Sequence, residues 1–109
     1  MMISTVDRVE GHRVARTLGL VRGNTIRTKH LGKDIVAWLR FLVGGEVREY
    51  TKMMAQAREQ ALDRMIEEAR ALGANGVIGM RFQTSKIMSG ASEILCYGTA
   101  VILEREEGV

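Results

Sequence analysis

The sequence predicts a single α+β domain with an antiparallel sheet, and three observations carry that prediction. Residues 13–28 are rich in β-branched and apolar types, a long helical stripe runs from Tyr50 to Leu72, and two apolar stretches with a short connection close the chain at 76–86 and 91–103. Strand, then helices, then paired strands is an α+β order rather than an alternating βαβ one. The chain has 109 residues. Independent domains run to about 100–150, so one domain spans 1–109.

The first long strand is RVARTLGLVRGNTIRT, residues 13–28, with a shorter strand expected before it at residues 2–6. Gly19 marks a bend or bulge, and Gly23-Asn24 predicts a turn. Next, in LGKDIVAWLRFLVGG, Leu31, Ile35, Trp38, Leu39 and Leu42 recur at spacings of three and four, and Val36 and Val43 widen that face. The spacing predicts a first helix, stopped by Gly44-Gly45, since glycine accepts the left-handed conformation that ends helices. This helix is more apolar than an exposed one, which calls for burial against the domain or a neighbouring subunit. Lys33 and Arg40 are too few cations for a helix lying on a membrane surface.

The second helix is the strongest signal. From Tyr50, the residues Met54, Ala57, Ala61, Met65, Ala69 and Leu72 follow one stripe, widened by Leu62 and Ile66, and Gly73 ends it. Twenty-three helical residues make a rod of roughly 35 Å, longer than a compact domain of this size needs. Gly76 to Lys86 then reads as a strand, Ser89-Gly90 as a turn, and ASEILCYGTAVIL as the second arm of an antiparallel hairpin. That last strand is apolar on both alternating faces, so both need cover, and one domain supplies cover for one. Self-association follows as an expectation.

Composition narrows the function classes. Hydrophobic residues make up 46% and charged ones 27%, the balance of an ordinary soluble globular chain. The first ten residues, MMISTVDRVE, place charges where a signal peptide needs an apolar core, and no stretch reaches the roughly 20 apolar residues of a membrane span. The expected location is therefore cytoplasmic, with no membrane partner. The single cysteine rules out an intramolecular disulfide and a multi-thiolate cluster within one chain. Eight Lys/Arg against three acids give the first forty residues +5 of a net +3. Such a segment attracts phosphate. Of the aromatics Trp38, Phe41, Tyr50, Phe82 and Tyr97, only Trp38 falls within those forty residues, so a base-stacking platform of interleaved rings, and with it specific nucleic-acid recognition, is not expected.

Five segments in order carry a family resemblance: Leu20-Val21-Arg22-Gly23 with Ile26; DIVAWLRFLVGGE from Asp34 to Glu46; Tyr50 with Ala57-Arg58-Glu59; Ala71-Leu72-Gly73-Ala74-Asn75 with Val77-Ile78-Gly79; and Tyr97-Gly98-Thr99-Ala100-Val101. Over about residues 2–103 the chain resembles the YbjQ-like family, small bacterial and archaeal proteins labelled as heavy-metal-binding. The resemblance implies the order β-α-α-β-β, assembly as a ring-shaped homopentamer, and no established enzymatic activity or cofactor. Gly44, Gly45, Tyr50, Arg58, Gly73 and Gly98 are the motif residues through which it would bear on assembly.

Soft metals take thiolates and imidazoles, and this chain offers Cys96, His12 and His30. Cys96 sits mid-strand among Ile94, Gly98 and Ala100, where a free cysteine behaves as a small buried hydrophobe unless symmetry gathers copies of it around an axis. A soft metal or selenium species would bind there. His12 and His30 read as surface residues. Glu59, Asp63 and Glu67 form an i, i+4, i+8 column that reads as a solvated face or an ion-pairing surface between subunits. Arg58 falls inside the apolar band and is expected to be partly buried, paired with Glu93 or holding an anion such as a nucleotide beside the basic N-terminal strand. No Gly-x-Ser-x-Gly elbow is present, and Gly73 to Gly79 runs from helix to strand, the reverse of a phosphate loop. The expected function is a non-enzymatic homopentameric binding or scaffold protein, with its ligand site at subunit interfaces or on the symmetry axis.

Overall fold

β4, the strand apolar on both faces, is the centre of the sheet. In the computed structural model, which describes residues 1–28, 46–88 and 91–107, the elements are β1 (Met2–Ile3), β2 (His12–Thr28), α1 (Glu46–Ala71), β3 (Gly76–Met88) and β4 (Ala91–Arg105). They form one α+β domain with a four-stranded sheet in the order β1-β3-β4-β2. β4 pairs antiparallel with β3 and with β2, while β1 pairs parallel with β3 through Met2↔Gly76 and Ile3↔Val77. The sheet is therefore mixed rather than antiparallel throughout. The parallel pair arises because the chain start is held beside β3: Met2 N–H donates to the Asn75 carbonyl (3.1 Å) and Ser4 N–H to that of Val77 (2.9 Å). The helix expected from Leu31, its Gly44-Gly45 stop and the Ser89-Gly90 turn lie outside the described residues.

β2 does not turn at Gly23-Asn24. It runs on for 17 residues, with Gly23 opposite Cys96 and Asn24 opposite Leu95. Continuous pairing with β4 outweighs the local turn preference of the dipeptide. The bulge expected at Gly19 is present: its φ is +121° and the register slips between Thr17 and Gly19. β3 has a bulge of its own, where Gly79 and Met80 together oppose Gly98, between the pairs Ile78↔Thr99 and Arg81↔Tyr97. Gly79 takes φ +63°, the left-handed conformation that this bulge type requires. The bulge amides are satisfied from the chain start: Gly79 N–H donates to Val6 O (2.8 Å) and Met80 N–H to Ser4 O (3.0 Å).

α1 begins four residues before Tyr50 and ends on a Schellman motif, with Ala74 N–H bonded to Ala69 O (3.0 Å), Gly73 N–H to Arg70 O (2.9 Å), and Gly73 at φ +84°. Ala57, Ala61, Met65 and Ala69 face the sheet with no exposure and pack on Val21, Val77, Ile94, Cys96 and Ala100. Met54, Leu62 and Ile66 flank this stripe half-buried. Leu72 leaves it, being 47% exposed, because the helix has already ended at Ala71. α1 lies chiefly over β2, less over β4 and least over β3. The molecule measures 60 × 23 × 17 Å with a radius of gyration of 18.1 Å. A compact chain of this length would have about 13 Å.

Candidate ligand-binding site

The core contains a pair of sulfur atoms. Cys96 is carried on the helix-facing side of β4, and its Sγ lies 3.6 Å from Sδ of Met65 on α1. Neither residue has any exposure. Burial pushes the Cys96 thiol up to about 11, so at neutral pH it is a protonated donor toward the thioether. Its surroundings are Val21, Ala61, Ile94 and Ala100, an apolar shell that matches the small-hydrophobe reading. A thiol and a thioether are both soft donors. Two are fewer than a closed tetrahedral zinc site needs, and among the described residues no three His, Cys, Asp or Glu converge.

The other sequence candidates are dispersed. Arg58 is exposed, which corrects the expectation of partial burial: the apolar stripe is narrower than the sequence band, and Arg58 falls outside it. Glu93 accepts instead from Asn24 Nδ2 at 3.3 Å. Tyr50 lies within α1, but its side chain is outside the described residues. Glu59, Asp63 and Glu67 are exposed. His12 is half-buried, with Nδ1 3.1 Å from Glu10 O, and His30 lies outside the described residues. Gly73 serves the helix cap already described. Gly98 is buried opposite the β3 bulge, where an added Cβ would lie 2.6 Å from Val77 Cγ1 and 3.3 Å from Met80 Cα.

Strand pairing makes a second arrangement that the linear sequence does not display. Val21, Gly23 and Thr25 of β2 and Ile94, Cys96 and Gly98 of β4 are buried toward α1, so Arg22, Asn24, Leu95 and Tyr97 belong to the opposite face, which carries no helix among the described residues. Arg22 pairs with Tyr97, and Tyr97 with Arg81. One aromatic ring thus stands between two arginines from strands far apart in sequence. In the next row Asn24, Leu95 and Gln83 align the same way. Only the register reveals this, since Tyr97 lies 75 residues from Arg22.

A family model named YbjQ_1, described as "Putative heavy-metal-binding", matches residues 1–104. Among curated relatives, a UPF0145 protein of Thermus thermophilus is 59% identical over 104 residues, covering 95% of this chain and 91% of its own length. A UPF0145 protein of Methanococcus vannielii is 56% identical over 105 residues, covering 96% of this chain and all of its own. Among solved structures, a protein of unknown function from Pediococcus pentosaceus, described as a member of the DUF74 family, superposes with a TM-score of 0.66 at 18% identity, covering 95% of this chain and 98% of that one. At that identity the likeness concerns the fold.

Proposed function

The chain belongs to the YbjQ family, and from that premise we propose that it is a non-enzymatic homopentameric binding protein of the cytoplasm whose ligand site forms where copies meet. The observation that carries the proposal is the second half of β3, which lies beyond its two pairs with β1 and has no strand beside it on that edge among the described residues. β3 is exposed at every residue from Arg81 to Met88, with Phe82, Ile87 and Met88 at 42%, 49% and 64%. α1 lies over β2 and β4 instead and leaves Phe82 uncovered, although Phe82 pairs with the buried Cys96. An exposed edge strand with apolar side chains is a template for association. A second copy laid along β3 would cover it, and such a head-to-tail contact generates a ring where the rotation closes. A non-enzymatic role is supported by a family described by binding rather than by a reaction.

Native mass spectrometry of the untagged protein tests this reading. A fivefold assembly is expected, and Phe82→Glu is expected to shift it to smaller species while keeping the circular-dichroism spectrum. A monomer at micromolar concentration would sink the proposal.

The sulfur pair favours a second reading, soft-metal binding through Cys96 with Met65 as its neighbour. A thiol held near 11 must lose its proton to bind, so affinity would rise with pH and binding would release a proton. Silver(I) titration of Cys96→Ala with unchanged stoichiometry would end it. The reading that placed an anion at Arg58 loses its premise of partial burial, because that residue is exposed.

A further inference from the structure

We propose that the face of the sheet opposite α1 binds a free nucleotide, its phosphates met by Arg22 and Arg81 and its base stacked on Tyr97. The proposal goes beyond assembly and metal binding and depends on neither. Arg22, Tyr97 and Arg81 occupy one row across β2, β4 and β3. Neighbouring strands stand about 4.8 Å apart, which puts the two arginine backbones roughly 10 Å from each other with the tyrosine midway. The Arg22 side chain spans more than half that gap, while Arg81 is held toward Thr5 at the far edge of β3, so the two flank the ring and meet different oxygens of a phosphate chain. Arginine suits the role because its planar donors match phosphate oxygens in pairs.

Both arginines are exposed and Tyr97 is half-buried, so the ring is anchored by its neighbours while part of it remains accessible. Arg81 uses one N–H, from Nη1, on Thr5 O at 3.2 Å, which fixes the side chain and leaves other donors for a ligand. The adjacent row supplies the exposed amides of Asn24 and Gln83, groups that can donate to and accept from a base edge. Glu93, which pairs with Ile26 and Ser85 on the same face, lies four residues along β4 from Tyr97, about 13 Å away, and accepts from Asn24 Nδ2. The chemistry fits one nucleotide rather than a strand. A nucleic-acid strand needs successive stacking rings along a charged track. These rows offer one ring and two cations, with Leu20, Leu95 and Ile26 on either side.

The test is calorimetric titration of the full chain with ATP at low ionic strength, with inorganic tripolyphosphate as the phosphate-only probe and a labelled single-stranded oligothymidylate as the strand probe. ATP is expected to bind, with Arg22→Gln weakening it about tenfold and Tyr97→Leu about ten- to a hundredfold, the range of one lost stacking contact. Tripolyphosphate is expected to respond to Arg22→Gln and not to Tyr97→Leu. Tyr97→Phe, which keeps the ring and the packing, is expected to restore ATP binding. ATP affinity that is absent, or equal in wild type and variants, overturns the proposal. So does a tighter, variant-sensitive oligothymidylate complex, which would assign the face to a nucleic-acid strand. A change of native mass in Arg22→Gln without ATP binding overturns it as well, by assigning the face to a contact between copies.

Discussion

Gly23 of β2 and Ala61 of α1 are in backbone contact: a Cβ built on Gly23 would collide with the Ala61 carbonyl oxygen and the Met65 amide, and would lie 2.7 Å from Arg64 Cβ. The helix approaches the sheet this closely because its buried stripe is alanine at 57, 61 and 69, and the strand beneath it has no side chain at Gly23. Arg64 Nη1 then reaches over the strand to donate to Asn24 O at 2.5 Å, and Arg27 Nη2 donates to Gln60 at 2.7 Å, closing the contact from outside.

Gly23→Ala is expected to destabilise the fold by about 2–3 kcal/mol, the usual cost of overpacking against groups that cannot swing away. Chemical denaturation at fixed protomer concentration measures it. A change below about half a kcal/mol would show that the helix can lift off the strand at little cost.

Gly98→Val tests the bulge. The added atoms meet Val77 Cγ1 at 2.6 Å, Ile78 O at 3.1 Å and Met80 Cα at 3.3 Å, two of them backbone positions fixed by the Ser4 and Val6 hydrogen bonds. A loss of about 3 kcal/mol or more is expected, read as a lowered melting temperature or an insoluble product. A mutant as stable as wild type would contradict this crowding.

Asn75 acts as an extra strand residue. Its Nδ2 donates to Leu103 O (2.9 Å) and its Oδ1 accepts from Leu103 N–H (2.7 Å), so the side-chain amide copies a peptide unit just before β3 begins. Asn75→Ala leaves both Leu103 groups without that partner and is expected to lose about 1–3 kcal/mol. Faster amide exchange at Leu103 is the local readout.

The buried thiol gives stability a pH dependence of known sign. Cys96 is held near 11 against an ordinary 9.0, so the folded state keeps its proton after the unfolded chain has released it. The contribution is fully present below pH 9.0 and is lost as pH rises toward 11. Two pH units correspond to roughly 2–3 kcal/mol. Wild type is expected to lose stability over this window more steeply than Cys96→Ala; parallel curves would contradict the burial. In the folded state the thiol is also expected to resist disulfide reagents at neutral pH.

Local chemistry was legible in the sequence because it depends on neighbours within a turn or two. The apolar period of α1, its end at Gly73, the bulge at Gly19 and the last hairpin were all expected from residue types and spacing, and the structure has each. The ordered motifs also indicated the family before any fold was known. Cys96 as a buried hydrophobe was legible too, from its apolar neighbours two residues away on either side.

Tertiary structure decided what depends on register and on which face is covered. Gly23 carries the same turn signal in any sequence, but here β4 pairs through it and α1 needs the space its missing side chain leaves. Arg58 belongs to the apolar band by count, yet α1 buries a stripe one residue wide per turn, and Arg58 falls outside it. Met65 beside Cys96, and Tyr97 between Arg22 and Arg81, join residues of different elements, and no local period encodes such neighbours. A one-residue slip of β2 would have sent Arg22 toward the helix and Gly23 away from it, since side chains alternate along a strand. The pairing that buries Val21, Ile94 and Cys96 together fixes that choice, and with it the face on which the charged row stands.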